Sequence, residues 1–149
     1  MNLPWLLFGV ALLAGAFITV QTGSNARLKE AFGEALPAII MSSALGVLLL
    51  LGVSLVGRIP WPARADIAAA PWWAWVGGGL GAAYAIITVL LARELGAATL
   101  TALVVTGQLL CSVVLDHFGW VGFSEHAASV GRIIGCLLMV AGFFLIARF

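Results

Sequence analysis

The sequence predicts an all-α integral membrane protein, a single domain over residues 1–149 with five transmembrane helices. Of its 149 residues, 63% are hydrophobic and only 9% are charged, whereas soluble domains contain about 25% charged residues. Helices and closed barrels are the only structures that span bilayers, and no apolar alternation typical of strands appears. A spanning helix needs about 20 predominantly apolar residues, and five segments meet or approach that length: residues 3–22, 36–56, 72–92, 96–116 and 130–147.

The first apolar segment resembles a signal peptide, because Ala14, Gly15 and Ala16 would suit a cleavage site. It lacks the basic residues that precede the apolar run of a signal peptide. We therefore expect it to be retained as the first membrane helix. Polar residues 23–35 connect it to the second helix and have room for a short interfacial helix.

The other three connections differ in kind. Residues 57–71 contain Pro60 and Pro62, which predict an ordered, non-helical loop. Residues 93–95 are so few that the third and fourth helices should form a tight antiparallel hairpin. Residues 117–129 lead into the fifth helix.

Two pairs of glycines have the spacing of helix-packing motifs. Gly77 and Gly81 form a GxxxG pair in the third helix, and Gly131 and Gly135 form another in the fifth. Small residues at this spacing let helix backbones approach closely in lipid. We predict helix packing at these positions, with a glycine hinge as the alternative.

Lysine and arginine are balanced between the two membrane faces that five crossings define. We call face A the side on which the first helix begins and face B the side on which it ends. Cytoplasmic loops normally hold an excess of Lys and Arg, and neither face of this sequence has such an excess. Face A carries Arg58, Arg64 and Arg132, and face B carries Arg27, Lys29, Arg93 and Arg148.

Tryptophan is distributed on one side only. All six tryptophans lie at or near face A, whereas Trp usually lines both membrane interfaces. Two copies inserted in opposite directions would supply both. Many transporters pair two inverted halves around a midplane site, and five helices make about half of such a fold. We therefore hypothesise a dual-topology, antiparallel homodimer that forms a ten-helix inverted-repeat transporter fold, with a second copy and the lipid bilayer as its partners.

Four sequence runs carry a family resemblance: QTGSNARL at 21–28, WVGGGLGAAY at 75–84, ARELGAA at 92–98 and GQLLCSVVLDHFGW at 107–120. Together they resemble the bacterial YdcZ-like family of the drug/metabolite transporter superfamily, and the resemblance extends over essentially the whole chain. It implies a multi-pass inner-membrane exporter of small molecules, found as dual-topology single genes, oppositely oriented pairs or fused ten-helix chains. It implies no particular substrate.

Polar side chains follow one face of the fourth predicted helix. At 3.6 residues per turn, Thr101, Gln108, Ser112 and Asp116 project within about 80° of one another. Gln108 lies near the middle of this helix and Tyr84 near the middle of the third, so the hairpin places both near the bilayer midplane, where transporter sites commonly lie. We predict that they line a substrate pathway, with hydrogen bonding between helices as the alternative.

Residues at the ends of the helices complete the predicted pathway. Gln21 and Asn25 lie one turn apart at the face B end of the first helix, with helix capping as the alternative. Trp75 lies in the first turn of the third helix. Asp116, at the face A end of the fourth helix, is either a cation or proton site at the pathway mouth or an ion-pair partner of Arg132. In an inverted dimer, Asp116 would share a membrane face with Gln21 and Asn25 of the other copy.

These residues favour a transporter that works by alternating access over an enzyme. His117 and His126 lie outside the bilayer core without convergent partners, and Cys111 and Cys136 lie in apolar runs without metal-ligand spacing. We therefore expect no catalytic residue, metal or cofactor, and the small net charge of +1 argues against nucleic acid. The first helix has no carboxylate that could carry a proton. A facilitator that moves its substrate without proton coupling is therefore an alternative mechanism. The alternative function is a non-transporting membrane assembly or partner-binding protein.

Overall fold

The computed structural model describes residues 3–149, and the regular structure in that range is helical. The helices are α1 (Leu3–Phe32), α2 (Ala35–Val56), α3 (Arg64–Ala69), α4 (Val76–Phe118) and α5 (Val130–Arg148). Among the described residues, four helical stretches are long and apolar enough to cross a membrane, namely Trp5–Phe32, Ala35–Val56, Trp72–Phe118 and Val130–Arg148. The all-α membrane class is confirmed. The chain divides into two compact units, one extending to Arg93 and the other from Glu94 to Phe149.

Helix α1 continues ten residues beyond the predicted first span and ends at Phe32. Its last turns, ARLKEAF, contain good helix formers and no proline, so backbone hydrogen bonding continues after the apolar run ends. Gly33 ends the helix with a φ of 80°, and its N–H donates to the Lys29 carbonyl at 2.9 Å, an arrangement that favours glycine. Only Gly33 and Glu34 separate α1 from α2, and the two helices pack against each other.

Helix α2 ends in a Schellman motif. The N–H of Arg58 donates to the Leu55 carbonyl at 3.2 Å, and that of Ile59 donates to the Ser54 carbonyl at 3.0 Å. Arg58 occupies the left-handed position of the motif with a φ of 49°. These bonds satisfy carbonyls that the helix end would otherwise leave unpaired.

The connection after α2 corrects one prediction, because residues 57–71 are not entirely non-helical. Helix α3 occupies Arg64–Ala69, and a 3-10 turn follows at Trp72–Trp75. Pro60 and Pro62 both precede α3, so neither removes a hydrogen bond from it. Asp66 Oδ2 accepts a hydrogen bond from the Ala63 N–H at 2.9 Å and caps the new helix.

Helix α4 contains a break at Gly96, which has φ 73° and ψ 162°. Residues 93–95, predicted as the connection between two helices, are themselves helical, and only Gly96 departs from helical geometry. Backbone in this region of φ and ψ is essentially restricted to glycine. The position of the break therefore follows from Gly96.

The first unit has a small core where α2 begins. Ala35, Ile39 and Val89 are buried and in contact, and Ala85 and Ile86 of α4 pack against them. Most large apolar side chains elsewhere are exposed, and in the apolar part of each spanning stretch at most 11% of the residues are buried. Apolar surface on this scale requires lipid or another protein to cover it.

Several threonine hydroxyls within the long helices bond to their own backbone. Thr22, Thr88 and Thr106 donate to carbonyls one turn earlier, at 3.0, 2.9 and 2.7 Å. Such bonds satisfy a polar side chain where no water is present. These threonines therefore need no partner from another helix.

Candidate functional site

The fourth predicted span presents its polar residues on one face of the second half of α4. Gln108 and Ser112 are exposed and lie one turn apart, and Asp116 follows one turn later and is partly buried. All three belong to the unit that begins at Glu94. An amide exposed in the middle of an apolar helix is costly in lipid. This face therefore requires a polar neighbour or water.

Asp116 forms the ion pair that was one of its two predicted roles. Its Oδ2 lies 3.2 Å from Nη1 of Arg132, and the two side chains are 28% and 37% exposed. The same Nη1 donates to the His126 carbonyl at 3.2 Å, and the Asp116 carbonyl accepts from the His126 N–H at 2.7 Å. The contacts tie the end of α4 to the start of α5 at the predicted face A mouth.

Both histidines take part in the same connection. Nδ1 of His117 accepts a hydrogen bond from the Ala128 N–H at 3.2 Å, and Nδ1 of His126 lies 2.9 Å from the Ser124 carbonyl. Over residues 3–149, no group of three or more His, Cys, Asp or Glu side chains is arranged to hold a metal ion. The histidines therefore hold the loop in place.

The loop itself contains strained backbone. Gly119 and Gly122 have φ values of 61° and 83°, and Val121 between them has a φ of 57°. A β-branched residue in the left-handed region is a genuine outlier. Sequence reasoning missed this position, because valine carries no signal for positive φ.

Gln21 and Asn25 lie within α1, so the helix-capping role is wrong for both. The helix continues to Phe32, seven residues beyond Asn25. Gln21 is exposed, whereas Asn25 is 6% exposed. One helical turn thus separates a surface amide from a buried one, and only Asn25 belongs to the interior of the first unit.

Tyr84 and Trp75 also belong to the first unit. Tyr84 is partly buried and directly precedes Ala85, which packs against the core at the start of α2. Its carbonyl accepts the hydroxyl of Thr88 at 2.9 Å. Trp75 is exposed at the end of the 3-10 turn that precedes α4. Tyr84 and Gln108, predicted to bound one site, lie in different units.

The GxxxG glycines leave open space beside their helices. A β-carbon placed on Gly77, Gly81 or Gly135 would meet no atom within 4 Å, and one on Gly131 would meet only Ser129 Oγ at 3.9 Å. Close packing on these glycines stays a prediction, since it needs a partner outside the described chain.

An ion-pair cluster that sequence reasoning missed lies near the α1–α2 turn. Glu30 pairs with Arg27 of the same helix, and its Oε1 lies 3.1 Å from Nε of Arg93 in α4. The i, i+3 spacing of Arg27 and Glu30 is a usable sequence signal. Arg93 is distant from Glu30 in the sequence, so spacing gave no signal for this second pair.

An apolar depression of about 510 Å³ lies apart from these polar residues, along the C-terminal half of α2. Its lining contains none of the predicted pathway residues. The residues that line it are Leu48, Leu49, Gly52, Val53, Val56 and Gly57.

Comparison with known proteins gives one family and one curated relative. The family model described as "Putative inner membrane exporter, YdcZ" matches residues 6–145. The chain is 27% identical to Inner membrane protein YdcZ of Escherichia coli (strain K12) over 137 residues, covering 92% of this chain and 91% of that protein. No solved structure matches.

Proposed function

The chain belongs to the YdcZ family, and from that membership we propose that it exports a small molecule by alternating access as an antiparallel, dual-topology homodimer. The family and the apolar helices make it a multi-pass inner-membrane protein of the transporter class. The observation that carries the finer proposal is the exposed polar face of Gln108 and Ser112 on a spanning helix. In the dimer this face lines the substrate pathway.

The five-helix count in this proposal rests on the break in α4. At 1.5 Å per residue, 43 residues make a helix of about 65 Å, roughly twice the thickness of the hydrocarbon core. Gly96 divides α4 into residues 76–95 and 97–118, each of which is about 30 Å long. We propose that each part crosses the bilayer once, so that the chain crosses five times and two oppositely inserted copies form an inverted repeat.

The dimer explains two further observations. The Lys and Arg counts of the two faces are nearly equal, so both orientations are accessible to the same chain. The glycines at 77, 81 and 135 leave space beside their helices, which a second copy would fill by close backbone approach. The charge balance supports dual topology and the open glycines support self-association, and neither depends on the identity of the substrate.

The pathway is tested by cysteine accessibility. In a background with Cys111→Ala and Cys136→Ala, Ser112→Cys should react with a membrane-impermeant maleimide, because the pathway contains water. Val114→Cys is the matched control, since Val114 is exposed, lies two residues away and projects about 160° from Ser112. Strong labelling at 112 and weak labelling at 114 support transport. No labelling at 112 favours the non-transporting assembly protein.

The dual topology is tested by fixing each orientation with added charge. One variant carries Ala65→Lys, Ala68→Lys and Glu125→Lys on face A, and the other carries Glu34→Lys and Glu94→Lys on face B. The positive-inside bias should drive the two variants into opposite orientations. With different affinity tags, the two variants should co-purify with each other and neither with its own kind. Self-pairing of either variant, or a tag at Phe149 found on one face only in the natural chain, would contradict the antiparallel dimer.

A further inference from the structure

Asn25 in α1 carries a buried hydrogen-bond acceptor that the chain does not use. The side chain is 6% exposed, and its Oδ1 has no hydrogen-bond partner within residues 3–149. A buried acceptor without a partner costs about 1–3 kcal/mol. Most buried polar groups in native proteins are hydrogen-bonded, so each exception needs an explanation.

The other buried polar side chains do not share this property. Within the described residues these are Thr88 and Thr106, and both hydroxyls donate to carbonyls of their own helix, at 2.9 and 2.7 Å. The side chain of Asn25 is longer than that of threonine, and its Oδ1 makes no such hydrogen bond. The orphaned oxygen is therefore specific to this position.

The oxygen lies inside the first unit, well away from the α1–α2 turn. Asn25 precedes Gly33 by eight residues, so it lies about 12 Å along α1 from the turn. Of the buried apolar residues on the two helices, Ala26 directly follows Asn25, whereas Ala35, Ala38 and Ile39 lie nearer the turn. Because no donor within the described residues reaches Oδ1, a donor to this oxygen has to come from another molecule.

The chemistry of the surroundings limits that molecule. No Asp, Glu, Lys or Arg is among the buried residues over the range that the structure describes. A buried ammonium group would lack a counter-charge there, at a cost of several kcal/mol. A hydroxyl or an amide N–H carries no such cost.

We propose that Asn25 Oδ1 is a substrate contact that accepts a hydrogen bond from an uncharged donor, a hydroxyl or an amide N–H, of the transported molecule. The proposal rests on the proposed transport function and adds to it the class of substrate.

The test compares probes that differ in one donor. N-Methylacetamide has an amide N–H and N,N-dimethylacetamide has none, and n-butylammonium supplies a charged donor. At ten times its Kd, a bound probe should raise the Tm of the purified protein by about 3–5 °C. We expect N-methylacetamide to raise the Tm above the value in the dimethyl analogue, and n-butylammonium to give no comparable rise. Equal effects of the two amides would overturn the proposal.

Variants at Asn25 test the same contact from the protein side. Asn25→Leu removes the orphaned acceptor and should raise the Tm in buffer while abolishing the difference between the two amides. Asn25→Ala removes the acceptor without adding volume and should abolish the same difference. Thr88→Val is the control, because it removes a satisfied hydroxyl and should leave the probe response intact. A fall in Tm for Asn25→Leu with an unchanged probe response would identify a structural role.

The outcomes separate this proposal from the proposed function. Labelling of Ser112→Cys without any donor dependence would refute the assignment of Asn25 and leave transport standing. Failure of both experiments would refute transport itself.

Discussion

Replacing Gly96 with alanine tests the feature that divides α4. At φ 73° and ψ 162°, an L-residue with a β-carbon is strained by about 1–3 kcal/mol. No atom lies within 4 Å of the position that the added methyl group would occupy, so the cost comes from the backbone alone. For a chain of about this size, 1 kcal/mol corresponds to roughly 2–4 °C in Tm. We expect Gly96→Ala to lower the Tm by about 2–12 °C.

Gly79→Ala supplies the matched control with the opposite sign. Gly79 lies in the same helix, has helical backbone and also has open space around it. It projects about 160° away from Gly77 and Gly81, so the GxxxG face is left unchanged. Alanine is favoured over glycine in a helix by about 0.5–1 kcal/mol, and the Tm should rise by about 1–4 °C.

Thermal unfolding of both variants in the same detergent, at one scan rate, measures the difference. A rise in Tm for Gly96→Ala equal to that of Gly79→Ala would show that residue 96 is helical. The division of α4 into two crossings would then be refuted.

Two further predictions concern the connection between α4 and α5. A double-mutant cycle of Asp116→Asn and Arg132→Gln should give a coupling energy of about 0.5–1 kcal/mol, as expected for a partly exposed pair, and a value near zero would show that the pair does not contribute to stability. Val121→Asn should raise the Tm by about 2–4 °C, because left-handed backbone costs a β-branched residue roughly 1–2 kcal/mol and asparagine much less. An unchanged Tm would mean that the positive φ of Val121 stores no strain.

The membrane class was predictable because one physical quantity decides it. Residues in a bilayer core must be apolar over about 30 Å, and the apolar runs record that requirement directly. The ends of the helices were less predictable. In α1, the run ends near Thr22, but the backbone of residues 23–32 continues to hydrogen-bond as a helix in water or at the interface. Hydropathy indicates which residues lie in lipid, whereas capping residues such as Gly33 determine where the helix ends.

The candidate site was predictable in composition and less so in arrangement. The polar face of Gln108, Ser112 and Asp116 follows from 3.6 residues per turn, and the Arg132 partner of Asp116 follows from charge. The burial of Asn25 does not follow, since it depends on how α2 packs on α1. The positive φ of Val121 has no counterpart in local propensity, since valine disfavours that region.

The two-residue turn between α1 and α2 has a consequence for biogenesis. Gly33 and Glu34 can span only about 7 Å even when extended, so the adjoining ends of the two helices cannot separate during synthesis. We expect the pair to enter the bilayer as a hairpin. Around its tip, Arg27 and Lys29 are balanced by Glu30 and Glu34. In a dual-topology protein, the orientation of each copy would thus be fixed when this electrically neutral hairpin inserts. The ratio of the two orientations would then be set during translation.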